Sequence, residues 1–121
     1  MAIQPKRLLE VQTIDNVAVV SITAGRILDD QVITRFGDEL KLLVEQSGHQ
    51  RILLNFSKVE YLSSAALGKL VVLRRAVEGV KGKLALSNID DSIFEAFKIT
   101  GFDRIFNIFP DEQEALQFLQ N

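Results

Sequence analysis

The sequence predicts one α/β domain spanning residues 1–121. It should hold a mixed, mostly parallel sheet of about five strands and about four helices, in the order β-β-α-β-α-β-α-β-α. Three observations predict it. Short strand-like runs alternate with helical stripes along the whole chain. One run, Val17-Ala18-Val19-Val20-Ser21-Ile22, is almost continuously apolar, as in a strand buried on both faces by helices. Helix-start and helix-stop residues punctuate the rest at the right places.

Taken in order, residues 8–13 and 17–23 read as two strands. Ile14-Asp15-Asn16 lies between them, and its Asp-Asn pair tolerates the positive φ of a tight hairpin. From Asp29 to Ser47, Val32, Ile33, Phe36, Leu40, Leu43 and Val44 form a helical stripe, with Asp29 or Asp30 as N-cap and Gly48 as the stop. Gly37 weakens this helix by about 1 kcal/mol relative to Ala. Residues 51–56 read as a short buried strand. A second helix runs from Ser64 to about Val80, with an inner stripe of Leu67, Leu70, Val71, Ala76, Val77 and Val80. Residues 83–87 form a strand, 91–100 a short helix closed by Gly101, 105–109 a last strand and 111–120 a final helix. In that final helix Asp111 and Glu114 have capping-box spacing. Pro5 and Pro110 fall at element edges. Parallel strands with helical crossovers gather their carboxyl-end loops on one edge, here residues 25–28, 57–66 and 87–90.

Composition excludes several functions. The chain is 47% hydrophobic and 25% charged, with a net charge of -2, so no positive field exists to hold a nucleic-acid backbone. It has no cysteine and one histidine, which removes disulfide, thiolate and Cys-based zinc chemistry. His49 sits in a helix-to-strand turn and reads as a turn residue. No run approaches the ~20 apolar residues of a membrane span, and Met1–Arg7 lacks the apolar region of a signal peptide. A cytoplasmic protein is expected, with no membrane insertion. Neither GxGxxG nor GxxxxGK[ST] occurs. Asp29-Asp30 and Asp90-Asp91 lie at helix starts and read as caps. Lys69, Arg74, Arg75, Lys81 and Lys83 read as a solvated helix face, with a docking surface for an acidic partner as the alternative. Six of the eight Phe residues lie at or after Phe94 and read as core. No catalytic residue, cofactor or metal is expected.

The informative stretch runs from Asn55 to Leu70. Ser63 is a natural N-cap and Ser64 the first helical residue, and Ala65, Ala66 and Gly68 leave that helix end sterically open. The stretch resembles the phosphorylation-site signature of STAS domains, the anti-sigma factor antagonist family. That pattern is a strand ending apolar-Asp-apolar-Ser, then an aromatic or apolar residue, Asp-Ser-Ser-Gly-Leu-Gly, and a helix. Asn55-Phe56-Ser57 matches the strand end with Asn for Asp, and Ser63-Ser64-Ala65-Ala66-Leu67-Gly68 matches the site. The family's Asp, second Ser and first Gly are here Ser63, Ala65 and Ala66. Val19 to Asp29, with Gly25, and Asn88 to Leu116, with Thr100-Gly101-Phe102, extend the likeness over nearly the whole chain.

The resemblance implies a partner switch. The unmodified antagonist binds an anti-sigma factor that is also a serine kinase, which frees a sigma factor. The kinase, which holds the ATP and magnesium, phosphorylates the antagonist, and a metal-dependent serine phosphatase resets it. On this chain the acceptor falls on Ser64, with Ser63 the second possibility. The partner-binding surface falls on Gly25, Ser63, Ser64, Ala65, Ala66, Gly68, Lys69, Ser87 and Asn88. The alternative is an unphosphorylated STAS adaptor in a signalling assembly or transporter complex.

Overall fold

The computed structural model describes residues 7–121; Pro5 and the amino-terminal segment through Lys6 lie outside them. Strands β1 (Leu9–Ile14) and β2 (Val17–Ile22) form a hairpin through Asp15 and Asn16, whose φ values of 48° and 67° are those of a tight two-residue turn. Next come β3 (Arg26–Ile27), α1 (Asp30–Glu45), β4 (Arg51–Asn55), β5 (Tyr61–Leu62), α2 (Ser64–Gly79) and β6 (Lys83–Ser87). The chain continues with α3 (Asp91–Thr100), a 3-10 turn (Phe102–Arg104), β7 (Asn107–Phe109) and α4 (Glu112–Gln120).

The main sheet has five strands in the order β1-β2-β4-β6-β7. Only the β1–β2 pair is antiparallel; β2–β4, β4–β6 and β6–β7 are parallel. Strand alternation divides its side chains between two cores. Ala18, Val20, Ile22, Ile52, Leu54, Leu84 and Leu86 pack beneath α1, α2 and α3. Val17, Val19, Leu53 and Ala85 face the other way, against Ala115 and Leu119 of α4. The apolar run of β2 is thus buried on both sides.

The phenylalanines divide in the same way. Phe56, Phe97 and Phe106 meet edge to face, with centroids 6.5 and 5.8 Å apart, while Phe109 and Phe118 lie together on the α4 side. Gly37, an expected weakness inside α1, sits under the Lys69 side chain: a Cβ there would fall 2.7 Å from Lys69 Cδ.

Several expectations need correction. The expected element order omitted β3 and β5, which form a separate two-stranded parallel sheet. In α2 the buried stripe is Ala66, Leu67, Leu70, Leu73 and Val77; Val80 caps the helix and is exposed. The last strand begins at Asn107 and not at Ile105, because the 3-10 turn after Gly101 takes up the preceding residues.

Candidate functional site

The small sheet builds the site. Gly25 C=O accepts from Glu60 N–H at 2.7 Å and Tyr61 N–H at 3.1 Å, and Ile27 C=O accepts from Ser63 N–H at 3.1 Å. Two sheet-edge loops, 25–28 and 57–66, are thereby joined, and the residue that opens α2 is tied to the strand that leads into α1. Buried Ile27 and Leu62 hold the pair from below.

At the helix start, Ser63 is half-buried and its Oγ accepts from Ala66 N–H at 3.2 Å. The expected cap is present. Ser64 follows as the first helical residue and is exposed, as is Ala65. The N–H groups of the first turn have no intrahelical acceptor, and the helix dipole adds partial positive charge. This first turn contains no acidic side chain, whereas those of α1, α3 and α4 contain Asp30, Asp91, and Glu112 with Glu114.

Ser64, Gly68 and Val72 recur every fourth residue, so they share one face of α2. Val72 is exposed, and a Cβ on Gly68 would meet nothing within 4 Å. The face is flat and open. Tyr61, 53% exposed with the Arg26 guanidinium 6.0 Å from its ring centroid, borders the site. Sequence reasoning passed over Tyr61 and Arg26. The position just ahead of the two serines is Leu62; Tyr61 stands one residue earlier, and only the β3–β5 pairing brings Arg26 to it.

The structure places the expected surface residues unevenly. Ser63, Ser64 and Ala65 follow one another at the start of α2, Gly25 lies beside Glu60 and Tyr61 at the other end of the β3–β5 pair, and Gly68 and Lys69 lie half-buried further along α2. Two expected surface residues, Ala66 and Ser87, are fully buried and cannot contact a partner directly. Ala66 faces the core from the third helical position. Ser87 shares with Ala85 the side of β6 that faces α4. Asn88 is half-buried in a left-handed conformation, φ 59°, with its side-chain oxygen enclosed and unpartnered, as is Ser87 Oγ.

The Asn at position 55 has a structural partner. Asn55 Nδ2 donates to Glu112 Oε1 at 2.7 Å, and its Oδ1 accepts from Ser57 N–H at 2.8 Å. An Asp there would keep the second bond and lose the first. The caps read from sequence are also present: Asp29, Asp90 and Asp111 accept from Val32, Ser92 and Glu114 N–H respectively. Among the basic residues, Arg74 donates to Ile105 C=O and pairs with Glu78, and Lys83 donates to Asn121 C=O. Lys83 and Arg74 thus have structural partners on the protein itself.

Among the described residues there is no group of three or more metal-ligating side chains, and no helix is long and apolar enough to cross a membrane. Residues 9–115 match the family model of the STAS domain. The chain belongs to the STAS domain family. It is 36% identical over 73 residues to a candidate anti-sigma factor antagonist of Thermotoga neapolitana, a match covering 60% of this chain and 65% of that relative. The matched part of that curated relative is therefore under two thirds of its length. The STAS fold here superimposes on a candidate anti-sigma factor antagonist from Thermotoga maritima with a TM-score of 0.78, 22% identity, and coverage of 93% of this chain and 95% of the other. It superimposes on phosphorylated SpoIIAA from Bacillus with a TM-score of 0.67, 18% identity, and coverage of 90% and 96%.

Proposed function

We propose that this STAS domain is an anti-sigma factor antagonist that works by partner switching in the cytoplasm, as a regulator and not an enzyme. In its unmodified state it binds an anti-sigma factor serine kinase through the Ser64 face of α2 and the adjoining β3–β5 edge. The kinase holds ATP and transfers the γ-phosphoryl group to Ser64. The Ser64 Oγ–P bond forms, the bridging P–O bond to the β-phosphate breaks, the hydroxyl proton passes to a base on the kinase, and ADP leaves. A serine phosphatase restores the hydroxyl.

The observation that carries this reading is the exposed Ser64 hydroxyl on a helix end with no acidic side chain in its first turn. A phosphate adds roughly -1.5 to -2 charge. At this place it meets unpaired N–H groups and the positive end of the dipole, so the fold accepts it. A partner surface shaped for a hydroxyl does not, because new charge and bulk would be buried there unpaired. Ser63 is the weaker acceptor. Its oxygen already caps the helix, and modifying it would remove the bond to Ala66 N–H. The open strip of Ala65 and Gly68 supports close approach by a partner.

The test is incubation with the cognate kinase and ATP, followed by site-resolved mass spectrometry. Phosphate is expected on Ser64 of the native chain and none on Ser64→Ala. A full phosphate on Ser64→Ala overturns the assignment, and failure to bind any serine kinase favours the adaptor reading.

A further inference from the structure

The two edges of the main sheet differ. Edge strand β7 has three residues and is followed at once by Pro110, which protects it. Edge strand β1 has six, paired to β2 in unbroken register from Leu9↔Ile22 to Ile14↔Val17, with no bulge, Pro or Lys. In a two-residue hairpin the closing pair, Ile14 and Val17, exchanges both hydrogen bonds. Alternation from there points the N–H and C=O of Gln12 and Glu10 at β2, and those of Thr13, Val11 and Leu9 away from the sheet. The bond from Thr23 N–H to Leu8 C=O, 2.8 Å, continues that alternation. The outward Leu9 N–H finds the Glu39 carboxylate at 3.2 Å. Among the described residues, Val11 and Thr13 have no further strand beside them.

A groove of about 470 Å³ runs next to this edge, between β1 and α1, with Val11 and Leu42 among its lining residues. Both are unusually exposed for apolar side chains, at 47% and 42%. Leu9 and Val11 share the α1 side of the strand, so a strand added beside β1 would lie over this groove.

We propose that the β1 edge pairs antiparallel with the same edge of a second copy of this chain, about a two-fold axis at Val11. The register follows from charge and hydrogen bonding. With the axis at Val11, Val11 faces Val11 through outward N–H and C=O groups, Leu9 faces Thr13 with the Leu9 C=O accepting from Thr13 N–H while the Leu9 N–H stays on Glu39, Glu10 faces Gln12, and Arg7 faces Asp15. Opposite charges thus meet at both ends of the contact. Moving the axis to Glu10 would set two carboxylates against each other in a pair where side chains are closest, which is unfavourable. The isologous arrangement closes on itself and leaves only the short β7 edges, each followed by Pro110, at its two ends.

Sedimentation of the native, unphosphorylated chain over a concentration series tests this without any kinase, so its outcome is separate from that of the Ser64 reading. A two-protomer species is expected. Val11→Pro removes an N–H that β2 does not use, and Pro is tolerated at such edge positions. It should weaken self-association at least about tenfold while the far-ultraviolet circular dichroism stays native. Val11→Lys, which sets like charges across the axis, should do the same and serves if the Pro variant does not fold. The Val11 and Thr13 amides should be protected from hydrogen exchange at high concentration and lose that protection on dilution. A one-protomer mass throughout, or a dimer indifferent to both substitutions, overturns the proposal. So does edge protection that appears only when an extended peptide of another protein is added.

Discussion

The amino ends of α2 and α3 each carry a cap followed by an exposed serine in the first turn, yet their electrostatics are opposed. At α3, Asp90 accepts from both the N–H and the hydroxyl of Ser92, at 2.8 and 3.0 Å, and Asp91 adds a second carboxylate. The serine there is tied down and its surroundings are already negative. At α2 the cap is the neutral hydroxyl of Ser63, no carboxylate lies in the first turn, and Ser64 is exposed. A dianion added to Ser92 would be repelled, and one added to Ser64 would fill the empty end of a dipole. A serine near a helix start is common. What distinguishes position 64 is that the carboxylates found at the other three helix starts are missing from this one.

The largest effect expected from this contrast is on binding. Ser64→Glu should keep the native fold and lose about a hundredfold or more in affinity for the kinase, whereas Ser92→Glu should leave affinity within a few-fold. Titration calorimetry separates the two, and equal losses would erase the distinction. Asn55→Asp carries a comparison to α4. It replaces the donor to Glu112 with a second carboxylate and should cost about 1–3 kcal/mol near neutral pH, read by urea unfolding. Ser63→Ala removes the cap of α2 and should cost about 1 kcal/mol at every pH.

Gly68→Ala separates folding from recognition. It should stabilise α2 by roughly 0.5–1 kcal/mol, since nothing opposes the added methyl group, while weakening kinase binding. Asp90→Ala gives the smallest effect and a pH signature. The N–H of Ser92, and then its hydroxyl, hold the Asp90 carboxyl below its ordinary range. Its contribution is therefore complete above the ordinary carboxylate value of 3.8 and fades as pH falls through the lowered folded value. The stability difference between native and Asp90→Ala should shrink in acid, while that for Ser63→Ala should not.

Much of this could be read from residue order, because strong local signals agreed with the fold. The apolar run of β2, the Asp-Asn hairpin, and the caps at Asp29, Ser63, Asp90 and Asp111 each have a nearest-neighbour cause. The strands β3 and β5 had none. Arg26-Ile27 and Tyr61-Leu62 are too short to show a period, and they become strands only by pairing across more than thirty residues. The inner face of α2 drifted at two positions. Leu73 lies three residues after Leu70 and four before Val77, so the helical period already places it on the buried face, while Val80 falls outside because the helix ends at Gly79. Ser87 was a missed alternation, since its parity with Ala85 already assigns it to the α4 side of β6. The absence of acid at the start of α2 was legible too, but it gained meaning only once all four helix starts could be compared.

Tyr61 is the only tyrosine of a chain without tryptophan. Its ring stands three residues ahead of Ser64, half open to solvent beneath the Arg26 guanidinium. Essentially all intrinsic ultraviolet emission of this molecule therefore originates on β5, the strand that leads into the hydroxyl at issue. Docking of another protein, or a change in charge on Ser64, can be followed as a change in native fluorescence, with no dye attached and no residue replaced.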